Sequence, residues 1–121
     1  MECKHCVAEL FNANANKLND EAFVREALIE AAVAANATLL NISTHAFSPQ
    51  GITGFALLAE SHISIHTWPE YNFASVDAFT CGKVTKPDAA CNYLAHIFES
   101  RGHTLNTIER VTPRIFSKSN L

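Results

Sequence analysis

The segment Gly51–Gly82, GITGFALLAESHISIHTWPEYNFASVDAFTCG, holds most of the side chains that could do chemistry. Ser61 follows an apolar run, His66 comes five residues later, and Cys81 stands just before the final glycine. These residue types could act as a nucleophile, a base and a proton donor if they converge on one sheet face. The alternative interpretation is a half-polar strand whose serine and histidine side chains face solvent.

Periodicity predicts the elements that carry these residues. Residues 62–67 alternate between polar and apolar types, which is typical of a strand and puts three polar side chains on one face: His62, Ser64 and His66. The following Trp-Pro-Glu ends this strand, because proline fixes φ and lacks an N–H. A second strand over residues 73–80 then leads directly to Cys81.

Two helices are predicted outside this segment. The first covers residues 20–35, is capped by Asn19 or Asp20, and stops at Asn36, a residue that tolerates the left-handed conformation. The second begins near Pro87 and ends at Gly102. The remaining strands are expected at residues 4–11, 38–47 and 103–112, with a polar loop over residues 12–17.

This order of elements predicts one α+β domain over residues 1–121. Two helices cannot cover both faces of a sheet of about six strands, so we expect a two-layer sandwich with both helices on one face of a mainly antiparallel sheet. The other face then presents large apolar side chains that a second copy of the chain could cover. The apolar side chains expected on this other face are those of Phe55, Leu57, Phe73 and Phe79.

Composition excludes several classes of partner. The 121 residues are 48% hydrophobic, with a net charge of −3 and a pI near 6.0, which argues against nucleic acid as a partner. No apolar run approaches the roughly 20 residues that span a bilayer, and the first residues, MECKHC, lack the apolar core of a secretory signal. We therefore expect a cytoplasmic protein with no membrane partner.

Four cysteines are present: Cys3, Cys6, Cys81 and Cys91. In a reducing cytosol, disulfides between them are not expected. The Cys3-x-x-Cys6 spacing, with a histidine between, invites a zinc or redox interpretation. A structural zinc site needs four ligands and no second pair has suitable spacing, so no metal site is predicted.

Two motifs carry a resemblance to a known family. AESHISIHTWPE resembles the processing-site motif of the bacterial and archaeal S-adenosylmethionine decarboxylase proenzymes, and FASVDAFTCG resembles their second signature. The similarity extends from about His5, in HCVAELFNAN, to about Tyr93. It implies a two-layer protomer that dimerises sheet to sheet into a four-layer αββα assembly, with active sites at the interface.

The resemblance also implies a self-made cofactor. Cleavage at Glu60-Ser61 would give a β chain of residues 1–60 and an α chain of residues 61–121, whose first residue becomes a covalent pyruvoyl group. That group binds the substrate amine as a Schiff base and accepts the electrons released on decarboxylation. His66 matches the family's processing base and Cys81 its catalytic proton donor. Thr53 stands where the family commonly has serine; the hydroxyl remains, while the added methyl restricts χ1.

By the same resemblance, three residues take substrate-binding positions: Phe47, Trp68 and Glu70. Aromatic rings stack on adenine and attract a sulfonium cation, and a carboxylate accepts hydrogen bonds from ribose hydroxyls. S-adenosylmethionine decarboxylation for spermidine synthesis is therefore the expected activity. Two alternatives stay open: a pyruvoyl-dependent ornithine or arginine decarboxylase of the same family, and a binding or regulatory module that is never cleaved.

Overall fold

Six antiparallel strands form one sheet in the computed structural model, which describes residues 2–110. The order across the sheet is β2-β3-β4-β5-β1-β6, and each neighbouring pair is antiparallel. The strands are β1 (Cys3–Phe11), β2 (Leu39–Ala46), β3 (Ile52–Leu58), β4 (Ser61–Trp68), β5 (Phe73–Cys81) and β6 (Gly102–Arg110). The predicted alternation in β4 is confirmed, since Ile63, Ile65 and Thr67 are buried while the intervening side chains are not.

Within residues 2–110, three α-helices and one short 3-10 helix (Pro69–Tyr71) accompany the sheet. The α-helices are α1 (Ala15–Leu18), α2 (Glu21–Ala34) and α3 (Pro87–Ile97). The Asp20 side chain caps α2 by accepting a hydrogen bond from the Phe23 N–H at 3.1 Å, and Asn36 follows it with a left-handed φ of 56°, as predicted. The short α1 corrects the predicted loop over residues 12–17. It forms because the Asn14 side chain caps the turn by accepting from the Lys17 N–H.

The end of α3 differs from the prediction. The helix stops at Ile97, because Glu99 takes a left-handed φ of 58°, and Gly102 instead begins β6. The predicted last strand over residues 103–112 is confirmed as far as Arg110. Its final two residues lie outside the described part of the chain.

The core lies between the helices and one face of the sheet. Val24, Leu28 and Leu94 reach it from the helices, and Ile63 and Ile65 reach it from β4; all five are fully buried. Burying each such side chain stabilises the folded state by about 1.5–3 kcal/mol relative to leaving it exposed. Gly54 in β3 permits the close approach of α2, because a Cβ there would lie 2.7 Å from Leu28 Cδ1.

The opposite sheet face carries no helix among the described residues. Phe55 and Leu57 remain 41% and 42% exposed on it, and Ile108 of β6 is 50% exposed. Phe73 and Phe79 are half-buried on the same face. The predicted α+β sandwich, with its helices on one face of an antiparallel sheet, is confirmed. We call the uncovered side, formed by the outward residues of all six strands, the open face.

Candidate active site

The turn between β3 and β4 holds the Glu60-Ser61 peptide bond in an unusual conformation. Ser61 has a φ of +145°, a region that residues other than glycine rarely adopt and that costs about 1–3 kcal/mol. The turn is anchored to residue 38, whose carbonyl accepts from the Ala59 N–H at 2.9 Å. The Glu60 carboxylate in turn accepts from the Thr38 N–H at 2.9 Å and from its hydroxyl at 3.2 Å. These hydrogen bonds with Thr38 thus help to compensate the strain.

The carbonyl of Glu60 is already hydrogen-bonded to the residue predicted as proton donor. The Cys81 backbone N–H donates to the Glu60 oxygen at 3.0 Å, and Ser61 lies directly opposite Thr80 in the β4–β5 register. A donor at this position polarises the carbonyl and would stabilise an oxyanion formed there. The structure therefore brings Ser61 and Cys81 together at one end of the sheet.

The side chain of Cys81 is paired with Cys3 in a disulfide, which contradicts the expectation that disulfides are absent. The pairing arises because Cys3 and Cys81 stand opposite each other in the β1–β5 register, with their Cα atoms 4.0 Å apart. Cys6 and Cys91 are buried free thiols, and burial raises the pKa of Cys91. In the disulfide form, the Cys81 sulfur has no proton to donate.

A second group of predicted residues lies around a cleft of about 320 Å³. The lining includes all three predicted substrate-binding residues together with Thr53 and His66: Phe47, Thr53, His66, Trp68 and Glu70. The Thr53 hydroxyl and His66 Nδ1 are 3.1 Å apart, within hydrogen-bond distance. Phe47 and Trp68 are 52% and 39% exposed, so their rings are accessible to a ligand.

The two groups are far apart within one protomer. Ser61 begins β4 opposite Leu58, whereas His66 lies five residues further along the strand, opposite Thr53. At about 3.3 Å per residue the separation is about 16 Å. The single chain therefore does not bring the nucleophile and the predicted processing base into contact, and the expected convergence of Ser61, His66 and Cys81 does not occur within it.

A polar network on the open face was missed from the sequence. Asp77 of β5 accepts hydrogen bonds from His5 Nε2 at 2.8 Å, from His62 Nε2 at 3.2 Å and from the Ser64 hydroxyl. Burial alone would raise the pKa of Asp77, but hydrogen bonds from Ser64, His5 and His62 outweigh it and lower that pKa. Alternation did place His62 and Ser64 on this face, but their shared partner depends on the strand register.

A larger cleft of about 540 Å³ lies elsewhere, at the junction of α1 with the end of α3, and includes Asn14, Asn72, Glu99 and Arg101. None of the predicted site residues lines it. Its carboxylate is already engaged, since Glu99 accepts from Lys17 Nζ at 2.8 Å and from Asn14 Nδ2 at 3.1 Å. The predicted site residues therefore lie around the smaller cleft, which five of them line, and not around the larger one.

Across residues 2–110, no three histidine, cysteine or acidic side chains gather in an arrangement that could hold a metal ion. No helix in that range combines the length and apolar character needed to cross a bilayer.

Comparison with known proteins agrees with the motifs. The sequence model of a family described as S-adenosylmethionine decarboxylase matches residues 4–111. The chain is 54% identical over 116 residues to the S-adenosylmethionine decarboxylase proenzyme of Prochlorococcus marinus (strain MIT 9211), covering 96% of this chain and 95% of that one. A protein of the same name from Thermodesulfovibrio yellowstonii is 44% identical over 106 residues, 88% of this chain and 78% of that one.

The fold is also similar to that of a solved adenosylmethionine decarboxylase. The crystal structure of the adenosylmethionine decarboxylase from Aquifex aeolicus VF5 superposes with a TM-score of 0.85 at 37% sequence identity and covers 92% of both chains. The two motifs lie within the family match, which extends over residues 4–111. The strained serine beside a polarised carbonyl lies in the first motif. We conclude that the protein belongs to the S-adenosylmethionine decarboxylase family.

Proposed function

We propose that this protein decarboxylates S-adenosylmethionine, yielding the aminopropyl donor for spermidine, after cleaving itself at Glu60-Ser61. The single folded domain would then consist of two chains, residues 1–60 and 61–121. The observation that carries the proposal is the strained Ser61, whose preceding carbonyl accepts a hydrogen bond from Cys81 N–H at 3.0 Å. The relatives named proenzymes support it further.

Self-cleavage requires the Ser61 hydroxyl to attack the Glu60 carbonyl carbon. The C–O bond forms, the negative charge moves to the Glu60 oxygen, and the Cys81 N–H already donates to that oxygen. Collapse breaks the C–N bond and converts the peptide into an ester. Loss of the Ser61 α-proton then expels the Glu60 carboxylate, and hydrolysis of the remaining dehydroalanine releases ammonia.

The surroundings of residue 61 fit a covalent pyruvoyl group derived from this serine. Thr80 lies directly opposite, and its hydroxyl is buried with no hydrogen-bond partner among the described residues. A buried orphan hydroxyl is rare and is consistent with a polar group that forms later beside it. Such a group supplies a carbonyl that withdraws electrons from the substrate's α-carbon.

A homodimer would complete the site. His66, Thr53 and the substrate cleft lie about 16 Å along β4 from Ser61, so one chain holds two separate halves of the proposed machinery. A two-fold axis perpendicular to β4 would reverse the strand direction and place the His66 end of one copy over the Ser61 end of the other. The apolar residues of the open face, such as Phe55 and Leu57, would be buried in the resulting four-layer αββα assembly.

Within that assembly, each predicted residue has a defined task. His66, oriented by Thr53 at 3.1 Å, would remove the α-proton during processing. Cys81, as a free thiol, would return a proton to the substrate carbon after carbon dioxide leaves. Phe47 and Trp68 would flank adenine and the sulfonium, and Glu70 would accept hydrogen bonds from the ribose.

The alternative substrates, ornithine and arginine, fit the cleft less well. Both lack an aromatic ring, so they gain less than adenine does from stacking on two accessible aromatic faces. Only Glu70 among the lining residues carries the negative charge that a distal cation needs. The proposed partners are thus a small-molecule substrate and a second copy of the chain, with no role for nucleic acid or membrane, and the proposed location is the cytoplasm.

The experiment that tests this proposal combines intact mass with an assay. Wild-type protein should split into two pieces at residue 61 and release carbon dioxide from S-adenosylmethionine, with much less from L-ornithine or L-arginine. Ser61→Ala should stay at full mass and remain inactive, because it lacks the attacking oxygen. A Ser61→Ala chain that still splits would exclude the self-cleavage mechanism, and release from the free amino acids alone would exclude the proposed substrate.

A further inference from the structure

His62 connects the attacking serine to a half-buried carboxylate. Its Nδ1 lies 3.4 Å from the Ser61 hydroxyl, and its Nε2 lies 3.2 Å from Asp77 Oδ2. The order of groups is therefore serine, imidazole, carboxylate. Such an arrangement is the one in which a histidine takes a proton from a serine while the carboxylate holds its ring.

The carboxylate selects the tautomer of the ring. Hydrogen bonds from His5 and Ser64 compensate for the partial burial of Asp77, and together with the His62 contact they keep its pKa below the ordinary value. An ionised carboxylate can only accept, so His62 Nε2 must carry the hydrogen that it donates to Asp77. The lone pair of the neutral ring then lies on Nδ1, which is the nitrogen nearest to the Ser61 hydroxyl.

The ring is also held in place by two aromatic neighbours. Phe55 of β3 stacks on it with centroids 5.4 Å apart and an interplanar angle of 18°. Phe79, the direct cross-strand neighbour of His62, stacks at 6.0 Å and 8°. Two nearly parallel rings restrict rotation of the imidazole, so its Nδ1 stays directed at residue 61 without a further ligand.

We propose that His62 is the base that activates Ser61 for self-cleavage, and that Asp77 is its positioning residue. This inference rests on the proposed function, since it concerns the first step of processing. As the Ser61 oxygen bonds to the Glu60 carbonyl carbon, its proton passes to His62 Nδ1. When the C–N bond breaks, the imidazolium returns that proton to the leaving nitrogen of Ser61. The result is an ester and a free amine, with His62 neutral again.

This role is separate from the one proposed for His66. His66 lies about 16 Å along β4 from Ser61 in the same chain, and its Nδ1 is paired with Thr53. His66 of a second copy would act on the α-proton of the ester, one step later. The two histidines of the SHISIH segment would thus serve successive steps from different chains.

Hydroxylamine distinguishes a chain that has formed the ester from one that has not, because at neutral pH it cleaves an ester and leaves a peptide bond intact. It therefore separates the attack by Ser61 from the later removal of the α-proton. Freshly purified full-length chains of His62→Gln, His62→Ala and Asp77→Asn are followed by intact mass, with and without hydroxylamine. His62→Gln preserves side-chain size and can accept a hydrogen bond, but it does not take up a proton. The matched control is His96→Gln, which changes an exposed histidine near the end of α3 whose side chain makes no hydrogen bond to Ser61, His62 or Asp77.

We expect both His62 variants to process at least about a hundredfold more slowly than wild type and to resist hydroxylamine, because no ester forms. Asp77→Asn should be slowed in the same hydroxylamine-resistant way, and His96→Gln should process at nearly the wild-type rate. Melting curves verify that each chain is folded.

Three results would overturn the inference. They are a folded His62→Gln that is cleaved at the wild-type rate, accumulation of hydroxylamine-sensitive ester in either His62 variant, and equal slowing in His96→Gln. Failure of the proposed substrate would appear elsewhere, in carbon dioxide release by the processed wild-type enzyme, so the two ideas are judged by different measurements.

Discussion

His66 is accessible, hydrogen-bonded to a threonine and remote from the serine of its own chain. The Thr53 contact at 3.1 Å fixes the imidazole, and the cleft around it holds no other histidine. As the proposed base, His66 would therefore act on a group that a second chain brings to the cleft. Its loss should therefore affect one step of processing and leave the attack by Ser61 intact.

For His66→Ala we predict a full-length chain that hydroxylamine splits at residue 61. The ester forms, but removal of the α-proton slows by about 10²–10⁴, the usual contribution of a general base. Intact mass before and after hydroxylamine treatment measures this. Thr53→Ser, which retains the hydroxyl, should process like wild type. A His66→Ala chain that yields a pyruvoyl group at the normal rate would remove His66 from the mechanism.

Trp68 offers the second residue-scale test. Its ring lines the cleft and packs on Phe73 with centroids 5.6 Å apart. Trp68→Ala should raise the KM for S-adenosylmethionine about two- to twelvefold, which corresponds to about 0.5–1.5 kcal/mol for one lost aromatic contact. Steady-state kinetics on processed enzyme measure it. Tyr71→Ala is the control, because Tyr71 is 74% exposed and does not line the cleft. An unchanged KM in Trp68→Ala would place adenine elsewhere.

At the scale of elements, the strand register decides what the side chains can do. Eight pairs from Cys3 to Leu10 align β1 with β5, and the first of them sets Cys3 against Cys81. The same register places His5 beside Phe79 and two residues from Asp77. Because of this register, the Cys81 thiol, which is the proposed proton donor, can form a disulfide with Cys3.

We predict that decarboxylation by this protein depends on reduction. With the Cys3–Cys81 disulfide formed, Cys81 has no proton to give, so turnover should fall by about 10²–10⁴ and recover on treatment with dithiothreitol. Carbon dioxide release from processed enzyme before and after treatment measures it. Cys3→Ser cannot form the bond and should be active under both conditions. Full turnover by the oxidised wild-type enzyme would show that the Cys81 thiol is dispensable.

Local patterns predicted the elements better than the contacts between them. The alternation over residues 62–67 and the cap at Asp20 depend on neighbours in sequence, and both are confirmed. Cys3 and Cys81 are 78 residues apart in sequence, and a local sequence pattern cannot predict which residues of two such distant strands lie opposite each other. The separation of Ser61 from His66 was, in contrast, implied by the strand itself, because five residues of extended chain cannot bring their ends together.

At the scale of the whole molecule, no helix of residues 2–110 covers the open face of the sheet, and the proposed site is divided between two chains. Phe55, Leu57 and Ile108 are between 41% and 50% exposed on that face, and the proposed partner is a second copy, whose cleft would supply the missing half. An isologous interface makes the same contribution in both directions, so a dimer has two composite sites. Each site would take Ser61 and Cys81 from one copy and His66 with its cleft from the other.

Complementation between two inactive variants tests this arrangement. In a mixed dimer of Ser61→Ala with His66→Ala, one composite site carries both defects and the other carries neither. After co-expression with random assortment, about half of the dimers are mixed, so about a quarter of the wild-type number of sites should form the pyruvoyl group. Only the His66→Ala chain should be cleaved, because it alone retains Ser61, and differently tagged chains make this visible by mass. Each variant expressed alone is the control and should form no pyruvoyl group. If the co-expressed pair also forms none although mixed dimers are recovered, then both residues act within one chain and the divided site is excluded.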